Sequence, residues 1–195
     1  MKNEITYRGR TIKIVQDEDA RNPQEDGDTG LFIVANHRDF YVPEPNEKRV
    51  PNDPDELIQR YKKTHWIFPL EAYIHSGVRL AFGQEGNFPD RRWDVSQLGF
   101  VFAAKSEWRL SKKARAAAAS YIETWNQYLC GDVWGYDVGD DSCWGFYGYD
   151  YCLQEAKSVV DYQINAELKA RLQRVKQFIL NKVPLCVRQR ELEGV

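Results

Sequence analysis

Four side chains in the first forty residues could together hold a metal ion. Asp17 and Glu18 end one predicted strand, and His37 and Asp39 end the next. If these two strands pair, the carboxylates and the imidazole meet near one edge of a sheet. Such a set suits Mg²⁺, Mn²⁺ or Zn²⁺ in hydrolytic chemistry. The alternative is that they are solvated loop charges and one satisfied histidine, because their spacing matches no recognised ligand motif.

Cysteine chemistry is a weaker candidate. Cys130, Cys143, Cys152 and Cys186 form no CxxC pair, and all three histidines lie in the first half of the chain. A cysteine nucleophile needs a neighbouring base. The sequence also lacks the GxxxxGK, GxGxxG, HExxH and GxSxG signatures. We therefore expect free, half-buried thiols and no cofactor.

A small basic and aromatic group lies in a turn-rich segment between two predicted strands. It consists of Arg91, Arg92 and Trp93, followed by an aspartate. Guanidinium groups clamp phosphates, and an indole ring stacks on a nucleic-acid base. The alternative is an ordinary solvated loop. The group is thus a candidate nucleic-acid contact.

The segment "DDSCWGFYGYDYC" belongs to a predicted hairpin whose strands are "DVWGYDV" and "CWGFY". With the loop at Asp140–Asp141, Phe146 faces Gly135 and Tyr136 faces Gly145. An aromatic ring over a cross-strand glycine stabilises a sheet position that has no side chain. Both faces of the hairpin carry large rings, which dominate protein cores. We therefore expect a central strand pair covered on both sides, with Trp144 buried.

The alternative for this hairpin is an exposed contact surface. Residues 131–156 contain six acids and no base. Asp137, Asp140, Asp141 and Tyr149 would then form an acidic tip beside exposed rings. Such a surface suits a partner protein with a basic surface.

The remaining elements predict an α+β fold. Asp53 and Pro54 are typical of a helix start, and Gly131 of the end of a helix that begins near Ser111. From Asp150 onwards, apolar residues recur in steps of three and four as one stripe, which predicts a long C-terminal helix. We expect residues 1–195 to form a single domain, in which two long helices pack on a mainly antiparallel sheet.

Composition excludes several classes of protein. With 43% hydrophobic residues the chain can bury a core, and no apolar run is long enough to span a membrane. The N-terminus has no apolar segment of the secretory type, so we expect a cytoplasmic protein without membrane partners. The net charge of −2 disfavours nucleic acid as the main partner, although the C-terminal helix is mildly basic.

Four segments, "QDEDARNPQEDGDTGLFIVANHRDF", "YIHSG", "WDVSQLGFVF" and "DSCWGFYGYDYCLQEA", carry a resemblance. The chain resembles a set of uncharacterised proteins of bacteriophages and mobile elements, most specifically at "CWGFYG". The resemblance implies an accessory protein and transfers no catalytic residue. After His37 this chain continues "RDFYVPEP", where the set has further basic and glycine-rich residues.

Three functions follow. The favoured one is a non-enzymatic accessory protein that binds and inhibits or redirects a host macromolecular machine, of the anti-restriction or anti-CRISPR kind. The second is a small metal-dependent hydrolase or nuclease that uses Asp17, Glu18, His37 and Asp39. The third is a nucleic-acid-binding accessory protein that uses Arg91–Trp93 and the C-terminal helix.

Overall fold

The structure is a computed structural model that describes residues 2–25, 30–45, 47, 49–51, 53–75, 77–83, 88 and 95–182. This part of the chain contains nine strands and three helices. The strands are β1 (Lys2–Tyr7), β2 (Arg10–Gln16), β3 (Leu31–His37), β4 (Phe40–Val42), β5 (His65–Ile74), β6 (Val78–Phe82), β7 (Val95–Ala104), β8 (Val133–Val138) and β9 (Asp141–Tyr147). The helices are α1 (Pro54–Tyr61), α2 (Ser111–Leu129) and α3 (Tyr149–Lys182).

The strands form two antiparallel sheets. The first has the order β1-β2-β8-β9, and the second has the order β4-β3-β7-β5-β6. The α+β class is as expected from the sequence. The arrangement differs, because the two sheets have separate cores and each of the two longer helices packs on a different sheet.

The second sheet is covered on both faces. One face packs against α2 through Ala114, Ala118 and Trp125. The other face packs against Leu57 of α1 and Val50. Strands in a sheet covered on both sides read as continuous apolar runs, which explains "LFIVA" in β3 and "FVFAA" in β7.

The first sheet packs on α3 through one of its faces. Ile12, Ile14, Tyr136 and Val138 point to α3 and pack against its N-terminal half. Alternate residues point to the opposite side of a strand, so Lys13 lies on the other face, where it is exposed. That open face becomes important for the hairpin described below.

Helix α1 forms where the sequence predicts it. The Asp53 carboxylate accepts the Asp55 backbone N–H at 2.9 Å, and Pro54 occupies the first turn. Helix α2 departs in one detail, because Leu110 is its N-cap and Ser111 is already helical. Gly131, with a φ of 74°, follows its C-terminus as expected.

The apolar stripe of α3 is packed only in its first half. Cys152, Ala156 and Val160 are fully buried against the first sheet. Every residue from Asn165 to Ile179 is exposed. The long helix predicted from the stripe is present, but it packs on the first sheet only through its first half and extends beyond the sheet. Among the described residues, no helix is both long enough and apolar enough to cross a membrane.

Candidate interaction surface

The β8–β9 hairpin turns one residue earlier than the sequence suggested. Val138 pairs with Asp141, so the two turn residues are Gly139 and Asp140. Gly139 has a φ of 63°, a conformation that glycine adopts without steric cost. The turn places Asp140 at the tip and Asp141 at the start of β9, and both are exposed.

The expected register of the hairpin is wrong. Tyr136 pairs with Cys143, and Trp134 pairs with Phe146. A β-bulge between these pairs adds one residue to β9, where Gly145 has a φ of 83°. A bulge of this kind takes a glycine with positive φ. The glycine pairings expected for Phe146 and Tyr136 are therefore not formed.

A different ring covers Gly135. A Cβ built on Gly135 would lie 2.3 Å from Cε3 of the Trp144 indole, so the ring lies flat against the backbone of β8. Gly135 pairs with Val15 of β2, which places this contact on the open face of the first sheet. Trp144 remains 48% exposed.

Trp144 is thus not a core residue. Strand β9 is the last strand of its sheet, and α3 packs on the opposite face, where Phe146 stacks on Tyr136 at 5.4 Å between ring centroids. The expectation of a central strand pair covered on both sides is wrong. The indole is a large apolar group on an edge strand that faces solvent.

The three aspartates of the predicted tip lie close together in the hairpin but differ in surroundings. Asp137 is half-buried on the open face, opposite Lys13 of β2 and Ser142 of β9. Asp141 accepts a hydrogen bond from Nε2 of Gln163, on α3, at 2.6 Å. Asp140 is exposed at the turn. The tip therefore presents carboxylates while α3 holds one of them in place.

Tyr149 lies away from this tip. It starts α3, two residues after Tyr147, which pairs with Val133 at the other end of the hairpin. About six residues of strand, or roughly 20 Å, separate the two ends. The ring of Tyr149 packs edge-on against Trp134 at 5.1 Å between centroids. Tyr149 is a packing residue, and its predicted place at the acidic tip is wrong.

Asp132 ties this end of the hairpin to α3. Its Oδ1 accepts the backbone N–H of Tyr149 at 3.2 Å and the indole N–H of Trp134 at 2.5 Å. The first N–H groups of a helix have no partner within the helix. The Asp132 carboxylate accepts one of these N–H groups. Asp132, one of the six acids between residues 131 and 156, therefore has a structural role.

The residues of the metal hypothesis fall into two pairs. Asp17 and Glu18 follow β2 of the first sheet, whereas His37 ends β3 of the second sheet and Asp39 lies in the β3–β4 turn. The premise that β2 pairs with β3 is wrong, because β2 pairs with β1 and β8. Within the described ranges, no three His, Cys, Asp or Glu side chains are grouped to hold a metal ion.

Each pair has local partners instead. The Asp17 carboxylate accepts the Asp19 backbone N–H at 3.2 Å, and Nδ1 of His37 accepts that of Asp39 at 3.1 Å. Asp39 also pairs with the Arg38 guanidinium at 3.2 Å. These contacts are typical of turns. The basic group Arg91, Arg92 and Trp93 lies outside the described residues.

The described residues include three cysteines. Cys130 and Cys143 are exposed and free, and Cys152, in the first turn of α3, is buried against the first sheet. Burial raises the pKa of Cys152 to about 12, and the nearby Cys143 adds to the shift. A thiol with so high a pKa is protonated at neutral pH and is a poor nucleophile.

A cleft in the second sheet region lies beside His65. Its ring packs among Phe32, Tyr61 and Phe102, with centroid distances of 5.0–6.4 Å. Burial, and then the charge of Lys105, lower the pKa of His65. The imidazole is therefore neutral at pH 7, and it serves as a packing group beside a cleft of about 470 Å³.

Comparison with known proteins identifies no relative of this chain. The chain matches no protein-family model, no curated protein and no solved structure. The candidate surface consequently rests on its residues alone: Trp144, Asp140 and Asp141, with Asp137 beside them on the open face.

Proposed function

We propose that this chain is an accessory protein, of the phage or mobile-element type, that acts in the cytoplasm by binding a host macromolecular machine. The β8–β9 hairpin is the contact surface, and the partner is a protein with a basic surface. Binding blocks or redirects the partner, as in anti-restriction or anti-CRISPR inhibition. No chemical step by this chain is required.

The exposed indole of Trp144 carries this proposal. A tryptophan that is 48% exposed on an edge strand leaves about 120 Å² of apolar surface in water. Tryptophan is among the residues most often found at energetic centres of interfaces. Its packing on Gly135 restricts the ring before binding, so less side-chain entropy is lost when a partner covers it.

The charges beside the indole select the partner. Asp140 and Asp141 stand exposed at the turn, and Asp137 lies half-buried on the same open face as the indole. Concentrated like charge is unfavourable within the free protein, whereas a basic partner converts it into faster association. A groove that normally holds nucleic acid is a surface of this kind.

The experiment begins by identifying the partner. A photo-crosslinking amino acid at the exposed position of Ser142 on β9, in chain expressed in the native host, keeps the indole and attaches covalently to whatever protein lies against the hairpin. The purified partner is then tested by biolayer interferometry at low and high salt. We expect Asp140→Lys with Asp141→Lys to slow association at low salt, where screening is weak. Trp144→Ala should mainly speed dissociation.

Glu18→Lys with Asp19→Lys is the matched control. It makes the same change in net charge at two exposed residues outside the hairpin. If this control slows association as much as the hairpin variant does, net charge rather than the tip steers binding. Unchanged kinetics for both the Asp140–Asp141 and the Trp144 variants would remove the hairpin from the proposal.

A further inference from the structure

The C-terminal half of α3 carries a row of uncovered apolar side chains. Leu168, Leu172, Val175 and Ile179 are 49–68% exposed and recur at i, i+4, i+7 and i+11. Phe178 lies beside the row and is 60% exposed. Exposed apolar rows of this spacing are the anchors that helices use in grooves and in coiled coils.

The first sheet does not cover this row. Each step of four residues along an α-helix turns about 40° beyond a full turn. Four such steps lead from Ala156, which is buried on the sheet, to Leu172, a rotation of roughly 160°. Leu172 therefore faces almost opposite to Ala156. Whatever covers the row comes from outside this sheet.

The pattern fits two heptads of a coiled-coil seam, with apolar side chains at a and d. Position a holds Leu172 and Ile179, position d holds Leu168 and Val175, position e holds Lys169 and Lys176, and position g holds Arg171 and Phe178. Lysines therefore border the apolar row at e, and at g it is bordered by Arg171 and widened by the Phe178 ring. Charged side chains that border an a and d row in this way are typical of a seam that packs against another helix.

Charge identifies which helix fits. Residues 165–182 contain five bases and one acid, a net charge of +4. In a parallel pair of identical helices, Arg171 at g would face Lys176 at e of the other copy. In an antiparallel pair, e positions face e positions, and lysine again meets lysine. A second copy of this helix is thus disfavoured, and carboxylates at e and g are favoured.

We propose that residues 165–182 form one half of a heteromeric coiled coil whose other half is an acidic amphipathic helix of a partner protein. This surface is separate from the hairpin, and the proposal does not depend on the partner of Trp144. The chain then has two docking sites, of opposite charge.

The test uses the full chain and synthetic peptides of three heptads. One peptide has Ile at a, Leu at d and Glu at e and g, and its twin has Lys at e and g. Fluorescence anisotropy measures the Kd for each. We expect the Glu peptide to bind, with a Kd that rises with salt, and the Lys peptide to bind about tenfold or more weakly.

Charge-reversal variants test whether the peptides bind at the seam. Lys169→Glu with Lys176→Glu should weaken binding of the Glu peptide about tenfold and improve binding of the Lys peptide. The matched control is Lys112→Glu with Lys113→Glu, the same change in charge at exposed residues of α2, and it should leave both Kd values unchanged. Because all of these side chains are exposed, we expect an unaltered circular dichroism spectrum.

Three outcomes would overturn the proposal. The first is equal binding of both peptides, or binding of neither at several hundred micromolar. The second is binding of the chain to phosphatidylserine vesicles, but not to phosphatidylcholine vesicles, that Leu172→Glu abolishes, which would make the row a membrane contact. The third is a dimer in sedimentation that the same substitution dissociates, which would make a second copy the occupant.

Discussion

Replacing Gly135 with alanine places a methyl group where the indole ring of Trp144 now lies. The new Cβ would stand 2.3 Å from Cε3 and 2.4 Å from Cδ2 of the ring. Both distances are far inside van der Waals contact. Trp144 lies on the surface, so the ring can swing away from β8 and lose its covered area.

The expected loss of stability follows from the area of the Trp144 side chain that is now buried. A tryptophan side chain buries up to about 250 Å², and Trp144 is 48% exposed, so roughly 130 Å² is covered. At about 25 cal/mol per Å² this is ~3 kcal/mol as an upper bound, or about 2 kcal/mol when residual burial in the unfolded chain is allowed for. Alanine in a strand gains about 0.5–1 kcal/mol over glycine. We therefore expect Gly135→Ala to cost about 1–1.5 kcal/mol.

A double-mutant cycle isolates the contact. Trp144→Ala alone should cost about 2 kcal/mol, and adding Gly135→Ala to it should then stabilise by about 0.5–1 kcal/mol, because the ring is gone. Urea unfolding followed by circular dichroism gives the four free energies. Gly77→Ala is the control glycine, since its added Cβ has no atom within 4 Å and should change stability by less than about 0.5 kcal/mol.

The double-mutant cycle can also refute the contact between the indole and Gly135. Additive effects, with a coupling energy below about 0.5 kcal/mol, would mean that the indole does not lie on Gly135. A loss near 4 kcal/mol for Trp144→Ala would instead mark the ring as a fully buried core group. Either result would remove the exposed indole on which the proposed function depends.

Two further predictions concern the fold. Asp132→Ala should destabilise the chain by about 1–2 kcal/mol, because the N–H groups of Tyr149 and Trp134 lose their acceptor. Urea unfolding measures this loss of stability. A change below about 0.3 kcal/mol would contradict the prediction. The pKa of His65 is lowered by burial and then by Lys105, so the unfolded chain binds the extra proton and stability falls as the pH drops below about 6.5. His65→Phe should lose less stability than the original chain between pH 7.5 and pH 5 in the same assay, and equal losses would contradict the shift.

Local chemistry predicts the helices well. Asp53 and Pro54 mark the start of α1, and Gly131 marks the end of α2, because capping groups and positive φ act within a few residues. The same holds for the existence of the hairpin. Its register depends on which residue takes the left-handed turn, and Gly139 takes it where the sequence suggested Asp140–Asp141.

Pairing and burial depend on distant parts of the chain and could not be predicted in the same way. Alternation shows that β2 has one apolar face, but not that β8 lies beside it. Gln16 reaches Gly131 across 115 residues, with its Nε2 donating to the carbonyl oxygen at 2.8 Å. The apolar residues of α3 continue along its whole length, but the row winds around the helix. Which half is buried therefore depends on where the first sheet lies against α3 and how far it extends.

The pairing of β2 with β8 also sets an order for assembly during synthesis. Every strand of the second sheet, with α1 and α2, comes from the continuous segment 31–129. A ribosome delivers that segment complete before β8 emerges, while the β1–β2 hairpin is still waiting for its neighbour. Contacts of such large sequence separation form late. Until β8 emerges, one edge of β2 remains unpaired in the nascent chain. This unpaired state lasts longest when translation is slow.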